Sequence, residues 1–401
     1  MDDVPAPDLN NFPVLMPVYA RADIYMERGE GVYLFDDKGN RYLDFIAGIA
    51  VASLGHANPH IVKALTEQAG KLWTTSNIFH THVSEKLARR LVELTFADTV
   101  FFQNSGVEAW DCGIKVIRKY FSTIGQPQRY RVITFQGNFH GRSLSAIAAS
   151  KTDKMVKGFG PMMDGFDRVA WGNMNEVRAA ITEETAGIVI EPVLGEGGMK
   201  EAPAEFLREL RKVCDEFGLL LFFDEIQCGM GRTGKLFAHE WSGVAPDVMS
   251  IAKALGNGFP IGACLATAKA AQGMVIGTHG STYGGNPLAT AIGNAVLDQM
   301  TKPDFLDEVK RRGDYLWKKL DEIIARHPKI FVEHRGKGLM QGLRCIPENT
   351  AMIKALREEK LLVLGAGDNV IRMVPPLIVT EAQIDEAAAI IDRVAAKLGK
   401  G

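Results

Sequence analysis

The chain has 401 residues, enough for two or three domains, and 46% hydrophobic content gives it ample core. Its net charge of -2 offers no basic footprint for nucleic acid or an anionic membrane surface. Five scattered cysteines (Cys112, Cys214, Cys228, Cys264, Cys345), never in CxxC spacing, argue against a metal framework and for reduced thiols in the cytoplasm.

The start, MDDVPAPDLN, is acidic and lacks the basic end and apolar core of a signal peptide. No apolar run approaches membrane-spanning length. Residues 1–30 read as an irregular arm. VYLFD and RYLDF then form a hairpin around Asp37-Lys38-Gly39-Asn40. Asn58-Pro59 marks a helix start, with an N-cap and a proline in the first turn. From about residue 60 to 300 strands and helices alternate. TVFFQ runs into a helix from Gly106, and RVITF into the loop QGNFHGRS. GIVIEP precedes a helix over 203–217, where Phe206, Leu207, Leu210, Cys214 and Phe217 share one face and Gly218 is the stop. GLLLFFDE, DVMSIAK and GACLAT are further apolar strands. After Pro303 come a charged helix (305–327), the short strands KIFVEH, GLMQGLRC and NVIRMV, and a last helix from Thr380.

The expected fold is α/β. A mostly parallel, doubly covered sheet forms a large domain over 58–302. A smaller α+β domain spans 303–401, and 1–57, the arm and hairpin, belongs to the small domain.

Ligands of such a sheet bind at the carboxyl ends of its strands, so the polar residues there carry the chemistry. Asp224 and Lys253 each follow an apolar strand. A buried free ammonium is costly, and imine formation removes its fixed charge. A buried aspartate needs a cationic partner. Pyridoxal phosphate satisfies both, with its aldehyde on Lys253 and its ring nitrogen on Asp224. Asn104-Ser105-Gly106-Val107 opens a helix, so Ser105 is either a plain N-cap or part of a phosphate site. Phe139, after RVITF, either stacks on a flat ring or packs in the core. Glu191 and Glu196, in the glycine-rich loop EPVLGEGG, face a cationic site or solvent. Arg372, inside the apolar VIRMVPP, pairs with a structural carboxylate or a substrate one.

Three motifs are set aside. Gly229-Met230-Gly231-Arg232-Thr233-Gly234 matches GxGxxG, but no helix pattern follows and Asp247 precedes its strand instead of ending it. Ser250-Ile251-Ala252-Lys253 matches SxxK, but Ser250 lies within a strand pattern and neither SDN nor KTG occurs. His56 and His60 are four apart, but the helix start at Asn58-Pro59 divides them, so no metal pair is expected.

Taken in order, NSGVEA, FHGRS, EPVLGEGG, FFDEIQCGMGRTG, SIAKALGNGFPIGA, HGSTYGGNP and IRMVPPL resemble the class III pyridoxal-phosphate aminotransferases. The resemblance runs from about residue 45 to 377 and implies the fold type I architecture of these transferases. It implies that Lys253 bonds the cofactor's aldehyde and that Asp224 pairs with its ring nitrogen. Gln227 would bond the phenolic oxygen, with Ile226 and Phe139 on the two ring faces. Ser105, Gly106 and Val107 would hold the phosphate. Thr282 would reach the phosphate of a neighbouring subunit, making the protein an obligate homodimer with shared active sites. Arg142 would bind the donor's α-carboxylate, and Arg372 that of glutamate or 2-oxoglutarate. Glu196 would cover Arg372 until glutamate arrives.

Three positions depart from the family pattern: Val107 for alanine, Trp110 for asparagine and Leu194 for glutamine. Ornithine-type members often carry tyrosine where Ile49 falls, and the aliphatic Ile49 suits a longer or acylated donor. The expected donor is N-acetylornithine, giving N-acetylglutamate 5-semialdehyde on the route to arginine. N-succinyl-diaminopimelate and succinylornithine rank second, 4-aminobutyrate and ornithine third. A lyase, racemase or decarboxylase using the same cofactor is the alternative of another class. The two arginines and Glu196 favour transamination, since one-substrate reactions need no such switch.

Overall fold

A computed structural model describes residues 12–150 and 152–399; the acidic start 1–10 lies outside the described residues. The central sheet has seven strands, in the order Thr99–Gln103, Gly262–Ala266, Val248–Ile251, Leu220–Asp224, Thr185–Ile190, Arg131–Phe135 and Phe166–Val169. Only Gly262–Ala266 runs antiparallel to its neighbours. The other pairings are parallel.

Side chains of a strand alternate between the two faces of its sheet. Leu220 and Phe222 pack with Trp110, Ile117 and Phe121 of the helix Gly106–Thr123 on one face. Leu221 and Phe223 pack with Phe206, Leu207 and Leu210 of Ala204–Phe217 on the other. Covered on both sides, the central strands are buried and mostly apolar, as parallel strands of this class are. The first of these helices sits close to the sheet: a Cβ on Gly113 would lie 2.5 Å from the Phe222 ring.

The helix Ala204–Phe217 ends at Gly218, whose φ of 61° is the left-handed cap expected there. Phe217 departs from the expected buried face. It lies in the last turn and is 41% exposed, beneath the Arg178 guanidinium, while Val213 takes the buried place. Asn58 caps Pro59–Ala69 by accepting the His60 and Ile61 N–H groups.

The amino-terminal hairpin forms as expected, Tyr33–Asp36 against Arg41–Asp44. The irregular arm needs correction: Met26–Glu30 is a strand, paired antiparallel with Tyr33–Asp36. Its alternation is hidden because four of its five residues are exposed. Arg41–Asp44 pairs in parallel with Leu361–Leu362, so the two ends of the chain share a sheet. A second four-stranded sheet orders Phe331–Lys337, Met340–Cys345, Val370–Met373 and Leu364–Ala366. The helices Phe305–Arg326 and Glu381–Leu398 pack on this region. A further helix, Asn349–Glu358, was not expected from the sequence; Met352 and Leu356 bury its inner face. One apolar cluster joins Met249 and Ile251 of the large sheet to Leu316, Leu343 and Ile371. Among the described residues, no helix is long and apolar enough to cross a membrane.

Candidate active site

The strand ends of the central sheet converge on a cavity of about 300 Å³. Its wall includes Ser105, Gly106 and Val107 from the helix start, and Phe139 from the loop after Arg131–Phe135. Asp224, Ile226 and Gln227 follow the next strand, and Lys253 the one after. Eight residues singled out from separate stretches of sequence therefore share one wall.

Asp224 is buried and held by three donors. Ser250 Oγ and the Ile226 N–H reach its Oδ1 at 3.2 and 3.1 Å, and His140 Nδ1 lies 2.6 Å from its Oδ2. The serine of the SxxK match thus supports an aspartate and is no nucleophile. Trp110 lies flat against His140, with ring centroids 5.0 Å apart and planes 10° apart. The bulky departure from the family pattern thus finds its room as a buried platform for the histidine behind Asp224. This relay has no local sequence signal, because stacking joins residues thirty positions apart.

Lys253 has a φ of 45°, an uncommon backbone setting for a side chain of its size. Desolvation, followed by the charge of Arg372, pushes its amine down to about 8. Glu191, at the end of Thr185–Ile190, is buried and pushed up to about 8, first by burial and then by Asp224. It accepts the Phe139 N–H at 2.8 Å and the Gly195 N–H at 3.2 Å. Glu191 therefore ties two loops together, whereas Glu196 faces a cation.

That cation is Arg372, which is 2% exposed. Its Nη1 donates to Glu196 Oε1 at 2.6 Å and to Gln227 Oε1 at 3.2 Å. Its Nε is buried with no hydrogen-bond partner. A buried guanidinium with an unsatisfied edge has capacity for one more anionic oxygen. Leu194 is buried beneath this loop, where a Cβ on Gly197 would come within 2.9 Å of its Cδ1.

Five expected residues stand off the cavity wall: Glu196 and Arg372, which meet it through Gln227, and three more. Arg142 is exposed, its guanidinium 5.7 Å from the centre of the Phe139 ring. Ile49 belongs to a short segment in which Ala47, Ile49 and Ala50 all have positive φ; Val51, two residues on, lines the cavity in its place. Thr282 is exposed on a second, larger cavity of about 1310 Å³, which Asn104 and Val107 also border. The other set-aside motifs are structural. Arg232 of the glycine run is buried and donates to the carbonyls of Leu339 and Pro375 and to Ser53. His56 pairs with Asp44 and His60 with Asp298. Among the described residues no cluster of three His, Cys, Asp or Glu could hold a metal.

The wall fits a flat, phosphate-bearing aromatic aldehyde. The start of the 18-residue helix Gly106–Thr123 leaves its first N–H groups without intrahelical partners, as a phosphate requires. Gly106 must lack a side chain, since a Cβ there would lie 2.9 Å from Ile226 Cγ2. Phe139 and Ile226 give apolar surface, Asp224 a fixed carboxylate and Lys253 an amine.

The aminotransferase class-III family model matches residues 17–395. The acetylornithine aminotransferase of Brucella melitensis is 54% identical over 384 residues, 96% of this chain and 95% of that one. The crystal structure of N-acetylornithine aminotransferase from Stenotrophomonas maltophilia superposes with a TM-score of 0.83 at 37% identity, covering 95% of this chain and 97% of that one. An ornithine aminotransferase of Toxoplasma gondii with partial occupancy of pyridoxal phosphate at its active site gives 0.92 at 30% identity, covering 97% and 94%. Pyridoxal phosphate is the cofactor of this fold type I group. The chain belongs to the class III aminotransferases.

Proposed function

We propose that this aminotransferase moves the terminal amino group of N-acetylornithine to 2-oxoglutarate, giving N-acetylglutamate 5-semialdehyde and glutamate. The observation that carries the two-substrate reading is the buried Arg372 capped by Glu196. One substrate must meet a covered cation and the other a bare one. The identity to named acetylornithine aminotransferases over nearly the whole chain supports the donor.

Ser105, Gly106 and Val107 would hold the cofactor's phosphate, Phe139 and Ile226 its ring faces, Asp224 its ring nitrogen and Gln227 its phenolic oxygen. When bound, pyridoxal phosphate supplies an electron sink for the carbon bearing the amino group. Lys253 Nζ would hold its aldehyde. Lys253 would serve as the base, and burial and Arg372 favour its neutral form. It takes the proton from the donor carbon and holds it for return. Asp224, oriented by His140 and Ser250, would keep a proton at the ring nitrogen. Glu196 neutralises Arg372 while the donor is present, because the donor's reacting carbon bears no carboxylate. For glutamate or 2-oxoglutarate it rotates away, and Arg372 takes the α-carboxylate in bidentate fashion. Arg142 takes the donor's α-carboxylate, and the aliphatic Ile49 borders its acyl end.

The active unit is a homodimer in the cytoplasm. Thr282 borders a cavity that also exposes Ile78 and Tyr283, surface that a second copy would cover and from which Thr282 reaches the partner's phosphate. Five buried, unpaired cysteines suit a reducing compartment. Residues 1–57 and 303–401 form the small domain and 58–302 the large one; the pairing of Arg41–Asp44 with Leu361–Leu362 supports this division.

The test titrates the holoenzyme with N-acetylornithine, N-succinyl-diaminopimelate, 4-aminobutyrate and ornithine and follows the visible absorbance of the bound cofactor. N-acetylornithine is expected to have the highest specificity constant. If it is no better than 4-aminobutyrate, the assignment of the donor fails.

A further inference from the structure

The carboxylate that covers Arg372 sits on a backbone with nowhere to go. Glycines flank Glu196, and a methyl group on any of them would press on a neighbour. A Cβ on Gly195 would lie 2.4 Å from the Gln227 amide, and one on Gly197 2.4 Å from the Gly137 carbonyl oxygen. One on Gly198 would lie 2.7 Å from the Gly367 carbonyl oxygen. The loop thus rests on three separate segments of chain.

The third segment, the turn 366–369, also bonds the loop. The Gly367 N–H donates to the Glu196 carbonyl at 2.8 Å. Arg335 Nη1 donates to Asp368 Oδ2 at 2.7 Å and reaches the Gly198 carbonyl at 3.4 Å. Lys200, beyond the loop, places its Nζ 3.4 Å from the same Asp368 oxygen. Asp368 and Asn369 both have φ of 58°, and the chain then enters Val370–Met373, the strand that carries Arg372. One ionic knot, centred on Asp368 and joined by Arg344 Nε at 3.5 Å, therefore helps tie the loop of Glu196 to the turn before the strand of Arg372.

We propose, on the two-substrate reading above, that Asp368 is a specificity-determining positioning residue. With Arg335 it latches loop 195–200 to the turn before Arg372, so that Glu196 uncovers the arginine by side-chain rotation over a fixed backbone. A latched backbone keeps the effective concentration of the Glu196 carboxylate at Arg372 high. Loosening the latch favours the uncovered arginine. Glutamate and 2-oxoglutarate then gain, and the preference for the long donor over glutamate falls.

The test compares half-reactions of the holoenzyme by stopped flow. Asp368→Asn keeps the shape of the side chain and removes its charge. It is expected to lower the KM for 2-oxoglutarate and for glutamate by roughly twofold to fivefold, the worth of a partly exposed ion pair. The N-acetylornithine half-reaction should not gain. Gly367→Ala, whose Cβ would lie 2.9 Å from the Glu196 carbonyl oxygen, should shift the same ratio by displacing the loop. In a Glu196→Ala background Asp368→Asn should change nothing further. Equal effects on both half-reactions, or an effect that persists without Glu196, overturns the latch. If Glu196→Ala alone leaves the 2-oxoglutarate KM unaltered, the cover over Arg372 fails, and the latch with it.

Discussion

Lys253 is the residue on which the chemistry turns, and its environment makes a measurable demand. The amine is pushed down to about 8 by desolvation and by Arg372. The neutral form, the one that attacks an aldehyde or accepts a proton, therefore appears as pH rises through 8 and not through 10.5. At pH 8 about half of these amines are neutral, against under about one in a hundred for an ordinary lysine. Short exposure of the apoprotein to an amine-acetylating reagent, read by mass spectrometry, should place the Lys253 labelling midpoint near 8. Arg372→Gln should raise that midpoint, because it deletes the second cause of the depression while desolvation remains. A Lys253 midpoint with the surface lysines, above 10, would mean that the cavity does not set its acidity.

Among the elements, the helix Gly106–Thr123 does two things at once. Its first turn faces the cavity, and its inner face is held tightly to the sheet through Gly113 and Phe222. It cannot withdraw to make room for a larger residue at its start. Gly106→Ala should therefore drive Ile226 into the space for the cofactor ring. Overpacking of this kind costs about 1–3 kcal/mol, roughly tenfold to a hundredfold in cofactor affinity. Dialysis of the holoprotein against increasing dilution, with bound cofactor read by absorbance, checks this; unaltered retention would remove the helix start from the phosphate site. The strand-end residues of this site were legible in the sequence because each follows an apolar run that can only be a buried strand. The supports behind them were legible only in part. Glu191 stood out as an acid after a strand, but its bonds to two loop N–H groups did not, nor did the Trp110–His140 stack or the His140–Asp224 contact, because such long-range contacts leave no periodicity. The same holds for Met26–Glu30, an exposed edge strand with little apolar pattern, and for Phe217, whose helical phase pointed inward although the helix ends there. Arg232 looked like part of a nucleotide loop because glycines at that spacing serve equally to let a buried guanidinium reach three distant oxygens.

At the scale of the whole molecule, one chain leaves its site open on the side of the larger cavity. Ile78 and Tyr283 are 79% and 62% exposed there, beside Thr282, and both border the cavity that shares Asn104 and Val107 with the candidate active site. Large apolar side chains grouped at a cavity mouth mark a surface that another protein covers. If that protein is a second copy, assembly and cofactor retention must fail together. Charges at the contact, Ile78→Glu with Tyr283→Glu, should yield a species of one 43.9 kDa chain by sedimentation velocity, one that loses pyridoxal phosphate on gel filtration. Thr282→Ala separates the two effects: it should remain a dimer and bind the cofactor roughly tenfold more weakly, the cost of one hydrogen bond to a charged group. The predicted order is therefore wild type, then Thr282→Ala, then the double variant in retention, with only the last altered in mass. A double variant that stays dimeric would place the interface elsewhere, and a monomer that keeps its cofactor would show that each site is complete within one chain.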